Sequence, residues 1–217
     1  MTSLPRKRLS AAPPAAGMVH IGPGAFFRAF IAPYTDEAIG AGSECGEDWG
    51  IIAVSLKSPT AREALVPQGC LYTAIERGPD GDTSRRVEAI NDVLVAPEDP
   101  LVVLDTMARP EIRVVSLTIT EKGYCHNPRN GSLWTDHPDV AHDIATSDAP
   151  RTALGFLVLA LSRRREAGIP PFTVLCCDNL PANGAMLCRL VTALAYQRDA
   201  VGNSEGLADW IATHTTF

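Results

Sequence analysis

Lysine is scarce in this 217-residue chain: only Lys7, Lys57 and Lys122 occur, so lysine-dependent chemistry has few candidates. The six cysteines (Cys45, Cys70, Cys125, Cys176, Cys177 and Cys188) include no C-x-x-C pair and no metal-ligand spacing. No metal site is therefore expected, and a reduced, cytoplasmic compartment is the default. No apolar run is long enough to span a bilayer. The basic stretch Arg6-Lys7-Arg8 leads into small residues and prolines rather than the apolar core of a signal peptide. A net charge of −6 supplies no basic footprint for nucleic acid. None of Tyr34, Tyr72, Tyr124 or Tyr196 has a lysine four residues later, which sets aside the Tyr-x-x-x-Lys chemistry of short-chain dehydrogenases. No internal repeat is visible, and residues 1–16 read as a flexible arm.

What is present starts with Met18-Val19-His20-Ile21-Gly22-Pro23-Gly24-Ala25-Phe26-Phe27-Arg28. A short apolar run enters a glycine turn, and an amphipathic segment follows. Such a strand–turn–helix lets backbone N–H groups approach a phosphate at a helix N-terminus. Gly22 and Gly24 fill the first two positions of G-x-G-x-x-G, but the third is Phe27. These residues alone are equally compatible with an ordinary strand–turn–helix, and Gly22-Pro23-Gly24 also suits the nucleoside approach of a methyltransferase.

The following chain alternates strands and helices. A helix is expected over residues 25–41, kinked or broken at Pro33 and ended by Gly40 and Gly42. Residues 49–56 form a buried strand that runs into Lys57-Ser58-Pro59-Thr60. A dinucleotide fold would place a ribose-binding carboxylate there. None is present, which leaves NAD and NADP both open, with Lys57 a candidate for a ribose phosphate or the pyrophosphate. A Pro79-Asp80-Gly81-Asp82 turn between the runs 70–76 and 84–90 predicts an antiparallel hairpin. A short helix is expected over 97–107, and a β-branched strand over 112–120 ends in Thr120-Glu121-Lys122-Gly123-Tyr124-Cys125. His137 and His142 read as surface residues. The clearest helix covers 149–167, with Leu154, Leu157, Val158 and Leu161 as its apolar face and Arg163-Arg164-Arg165 complementing its dipole. A strand over 172–177 ends in Asp178-Asn179-Leu180-Pro181-Ala182-Asn183-Gly184, and two helical segments complete the chain. The class is α/β with a mostly parallel sheet. Three polar strand ends, at 22–28, 120–124 and 178–183, are expected to face one crevice.

The blocks Ile21–Ala29, Tyr34-Thr35-Asp36, Thr118–Tyr124 and Cys177–Gly184 resemble, in order and spacing, the N-terminal domain of the mannitol dehydrogenase family, across about residues 18–217. These are polyol-specific long-chain dehydrogenases, including mannitol 2-dehydrogenase and fructuronate reductase; Ser55–Pro59 and Glu121–Cys125 lean towards the latter. The resemblance implies a doubly wound, Rossmann-like NAD-binding domain and hydride transfer between nicotinamide C4 and a secondary alcohol carbon of a polyol or sugar acid. It matches Gly22, Gly24, Phe26 and Arg28 to the cofactor turn, with Lys57, Thr120 and Glu121 beside it. It matches Asn179 to an asparagine that polarises the substrate oxygen, with Asn183 as the second candidate.

Two departures stand out. The family's His-Arg-Ala-His reads Phe27-Arg28-Ala29-Phe30 here. The family's lysine base lies in a helical C-terminal domain expected to begin just after Phe217, and neither Lys57 nor Lys122 matches its motif. A cofactor-binding domain inactive on its own is the expectation. The alternative is a non-catalytic remnant or interaction module, self-associating through an uncovered apolar face.

Overall fold

The computed structural model describes residues 12–41, 48–202 and 204–217, so Lys7, Gly42, Cys45 and most of the expected arm lie outside the described residues. The arm's end differs from expectation. Strand β1 (Ala16–Ile21) already contains Ala16, and Asn91 Nδ2 and the Gly50 N–H donate to the carbonyls of Pro14 and Ala15 at 2.7 Å each.

Strands β2 (Gly50–Ser55), β5 (Ile90–Val95), β6 (Val114–Leu117) and β7 (Thr173–Cys176) join β1 in one sheet. Its order is β5-β2-β1-β6-β7, with every pair parallel. The chain winds outward from β1 through β2 to β5, then returns to the other side of β1 and winds out through β6 to β7. This reversal makes the C-terminal ends of β1 and β6 the switch point where open parallel sheets take ligands. The strand ends at Gly22 and Thr118 are thus set side by side by topology. The expected antiparallel excursion is also found: β3 (Tyr72–Gly78) pairs with β4 (Gly81–Val87), with Gly78 opposite Gly81. Strand β5 was not read from the sequence. It closely follows β4: the run expected over 84–90 reaches only its first residue, Ile90, and residues 91–95 carry no element in the sequence reading.

The alternation of side chains along the strands sorts the core into two layers. Val19, Ile21, Ile52, Val54, Val115 and Leu117 face α3 (Pro100–Ala108), α5 (Ala153–Glu166), α6 (Asn183–Ala200) and α7 (Leu207–His214). Met18, Ile51 and Ala53 face the opposite way, with Phe27, Ala32 of α1 (Ala32–Gly40) and Leu65 of α2 (Thr60–Leu65). Helix α5 is buried around nearly its whole circumference from Ala153 to Leu161, not along one face, because α3 and α6 flank it on the sheet. It begins at Ala153, where the Thr152 hydroxyl accepts from the Gly155 N–H at 2.9 Å. A further helix, α4 (Pro138–Ala145), lies in a stretch to which the sequence reading assigns no element; His137 caps it, accepting from the Asp139 N–H at 3.2 Å.

Pro33 does not end the helical segment, which changes from π to α winding just before it. One wide π turn over Phe27–Ile31 precedes α1, and Pro33 sits in the first turn of α1, where its missing N–H costs little. The Ala32 N–H bonds to the Phe27 carbonyl, leaving the Arg28 carbonyl to accept from the Tyr72 hydroxyl at 2.7 Å. The widened turn thereby fastens the helix to the hairpin.

The arginine run at the end of α5 is structural. Arg163 pairs with Asp105, and Arg165 donates to the Glu205 carbonyl. Arg164 is buried and donates to the carbonyls of Met107, Arg109, Ile112 and Pro170 at 2.7–3.2 Å. These bonds satisfy the end of α3 and the approach to β6. Replacing Arg164 by Ala strands several buried carbonyls and is expected to cost about 3 kcal/mol, measured by urea unfolding; a loss under about 1 kcal/mol would contradict this role.

Candidate functional site

The glycine turn is built on a buried histidine. His20, on β1, has no exposed surface, and its ring stacks on Phe27 at 3.9 Å between centroids and 11° between planes. The Thr118 hydroxyl donates to the Gly22 carbonyl at 2.8 Å, so its lone pair is left for His20 Nε2–H at 2.9 Å. Nε2–H also lies 3.2 Å from the Gly22 carbonyl, and Nδ1 accepts from the Ser116 hydroxyl at 2.8 Å. This network fixes the neutral Nε2–H tautomer. Burial pulls the imidazole down to about 3 from its usual 6.5, against a smaller opposing contribution from the Gly22 carbonyl. His20, Ser116 and Thr118 were not singled out from the sequence. The period-two alternation of β1 was the available signal, since it places a polar side chain in a buried row.

Above this base, Gly22 adopts φ +95°, and a Cβ there would lie 2.2 Å from the Thr118 carbonyl oxygen. The backbone therefore requires glycine. The Gly24 N–H donates back to the Gly22 carbonyl at 2.7 Å, while a Cβ on Gly24 would meet nothing nearer than that carbonyl at 3.9 Å. Protein packing alone does not demand glycine at 24. Its bare Cα opens onto a cleft of about 570 Å³ that Gly22, Arg28, Lys57, Thr118, Thr120 and Lys122 help to line. A phosphate approaching the backbone would occupy the space a side chain at 24 would fill, so the residues present fit a dinucleotide. The Arg28 guanidinium donates to the Gly24 carbonyl through Nε at 3.3 Å and flanks the turn. Thr120 holds φ 65° and ψ 158°, a conformation nearly confined to glycine and costing about 1–3 kcal/mol elsewhere in proteins.

Of the expected cofactor residues, Gly22, Gly24, Arg28, Lys57 and Thr120 thus converge on one cleft. Phe26 and Glu121 do not line it. Phe26 is 52% exposed beside Phe30 at 46%, with ring centroids 5.0 Å apart on the outer side of the helix. The two departures from the family's His-Arg-Ala-His part company here: Phe27 is a core residue supporting His20, and Phe30 is a surface one. A second cleft of about 630 Å³ adjoins the first across Lys57 and Lys122. His137 and His142, expected at the surface, are half-buried along it, and His142 Nε2–H donates to the Ala149 carbonyl at 2.9 Å.

The third strand end is locked to the second. The Asp178 carboxylate accepts from the Ile119 N–H at 2.9 Å and from the hydroxyl of buried Tyr124 at 2.5 Å. Burial, with Asp178 and Cys176 beside it, pushes the Tyr124 phenol well above its usual range. Asn183 Nδ2 donates to the carbonyls of Cys176 and Asp178 at 3.1 and 2.8 Å. Its amide is engaged in shaping the loop, whereas Asn179 is exposed on that loop.

A family model described as the mannitol dehydrogenase Rossmann domain matches residues 16–217. The chain belongs to the mannitol dehydrogenase family. It is 42% identical to mannitol 2-dehydrogenase of Pyrenophora tritici-repentis, over 93% of this chain and 35% of that protein. It is 44% identical to the uncharacterized oxidoreductase YeiQ of Escherichia coli, over 92% of this chain and 40% of that protein. The solved Pseudomonas fluorescens mannitol 2-dehydrogenase, in a ternary complex with NAD and D-mannitol, superposes with a TM-score of 0.86 at 43% identity. That match covers 94% of this chain and 40% of the other. A substrate-free D-sorbitol dehydrogenase gives the same TM-score at 38% identity, with 94% and 41% covered. Within the family, then, this chain corresponds to the Rossmann domain and spans about 35–40% of the length of the relatives it matches.

The depressed His20 titration gives stability a definite pH sign. Between pH 6.5 and about 3 the unfolded chain binds a proton that the folded chain refuses, so stability falls as pH drops through that window. From pH 7 to pH 5 this group is expected to remove about 2 kcal/mol, read by urea unfolding, and His20→Gln to remove that share of the slope. An unchanged slope in the variant would contradict it. Gly22→Ala is expected to cost several-fold more than Gly24→Ala, which should change stability by no more than ~1 kcal/mol.

Proposed function

We propose that residues 16–217 form the dinucleotide-binding part of an NAD-dependent dehydrogenase that oxidises a secondary alcohol of a polyol or sugar acid, of the mannitol-to-fructose or mannonate-to-fructuronate type. The observation that carries this reading is the open space over Gly24 at the sheet's switch point. Gly22 and Gly24 bring the backbone to the pyrophosphate, and Arg28 contributes its charge from the following turn. Lys57 and Thr120 line the same cleft, and Lys57, which follows β2, is assigned to the ribose end. Phe26 and Glu121, which match the family's cofactor region, flank the site from outside. When bound, NAD supplies a hydride acceptor at nicotinamide C4. Asn179, exposed on the loop after β7, is assigned the donor role towards the substrate oxygen as negative charge develops on it, on the strength of its match to the family's asparagine. Asn183 and Asp178 hold that loop in place. The proton acceptor is a lysine that the family resemblance puts in the helical portion of such enzymes, so this chain alone binds cofactor without turning substrate over.

A non-catalytic binding module is the second reading, favoured by the exposed Phe26, Phe30 and Tyr34 along one side of the helix. Nicotinamide fluorescence separates the two. Saturable NADH binding, weakened at least about tenfold in a folded Gly24→Ala variant, is expected for the cofactor domain. Absence of binding would favour the module. Sustained mannitol or mannonate oxidation by the 217-residue chain would overturn the division of labour.

A further inference from the structure

The ribose end of the cleft carries charge of one sign. Strand β2 lies next to β1 and delivers the chain at Lys57, the position where a dinucleotide fold that selects NAD places an acid to hold the ribose hydroxyls. Arg28, Lys57 and Lys122 all line the cleft, and among the described residues no carboxylate does. The carboxylate of Glu98, just past the end of the neighbouring β5, is held by both terminal nitrogens of Arg62, at 2.5 and 2.9 Å. Hydroxyls crowd the same turn: Ser55 donates to the Ser58 carbonyl at 2.7 Å, and Ser58 donates to Thr60 at 3.3 Å.

A carboxylate at this place discriminates by repulsion, because a ribose 2′-phosphate would be set against it. Among the described residues that repulsive element is missing from the lining, and Lys57 stands in its place, with Lys122 lining the same cleft. Building on the dinucleotide reading, we infer that Lys57, with Lys122 and the Ser58–Thr60 hydroxyls, forms a seat for a ribose 2′-phosphate, so that the domain takes NADP(H) at least as well as NAD(H). Lys57 is exposed, so its attraction for the phosphate is screened by salt.

The test compares NADPH and NADH binding by nicotinamide fluorescence, and 2′,5′-ADP against 5′-AMP by titration calorimetry, on the whole chain. NADPH is expected to bind as tightly as NADH or more tightly, and 2′,5′-ADP more tightly than 5′-AMP. NADPH should also show the steeper loss with added salt. Lys57→Ala is expected to lower NADPH affinity about tenfold more than NADH affinity, and Lys57→Asp to turn the preference towards NADH; circular dichroism verifies that both variants fold. NADH binding more than threefold tighter than NADPH would overturn the 2′-phosphate seat and leave the dinucleotide reading standing. Equal responses of both dinucleotides to Lys57→Ala would likewise overturn it. Failure of both dinucleotides to bind would overturn the two together.

Discussion

The carbonyl oxygen of Gly22 is where the protein's halves meet, and it accepts from the Gly24 N–H, the Thr118 hydroxyl and the edge of the His20 ring. One donor is the turn itself, one comes from β6 across the switch point, and one from the buried floor beneath. A carbonyl in this place would otherwise rotate with the turn. Held from three sides, it leaves the N–H groups beyond it in a defined arrangement before any ligand arrives, and preorganisation of that kind spares the cost of ordering on binding. The arrangement depends on a neutral imidazole in the core, which in turn depends on the flat face of Phe27.

The remaining strand ends are disciplined in the same manner, by side chains that reach across the sheet. Asp178 ties the β7 loop to the backbone after β6, and Asn183 ties it to its own strand. These are supporting roles for polar residues that look, in isolation, like candidates for chemistry. Asn179, by contrast, is exposed on the same loop. The result is a stiff scaffold with a few adaptable groups at its rim, among them Arg28, Lys57 and Lys122.

Much of the architecture was legible in the chain because its signals are local. The glycine turn, the apolar runs of β1, β2, β6 and β7, the Pro-Asp-Gly hairpin and the stop after α5 all act within a few residues. Other features depended on neighbours far away. The strand β5 is short and directly follows a hairpin arm, so only its pairing with β2 distinguishes it. Pro33 signals a break, yet a π turn places it in the first turn of a helix and lends the freed carbonyl to Tyr72. The arginine run of α5 can be assigned to the helix end from sequence, but the four carbonyls that consume Arg164 come from other segments.

The sequence by itself determined the family resemblance, the alternating α/β plan and the position of the glycine turn, because glycine conformations and hydrophobic periodicity are properties of neighbouring residues. The tertiary structure alone decided which polar groups serve the site and which serve the fold. His20 and Thr118 lie 98 positions apart, and Ile119 and Asp178 lie 59 apart. Their hydrogen bonds exist because the sheet's reversal sets distant strand ends side by side. The same reversal makes a lone glycine at 24 into open space for a ligand and leaves Lys57 and Lys122 in one cleft, a conjunction of charge that no local pattern encodes.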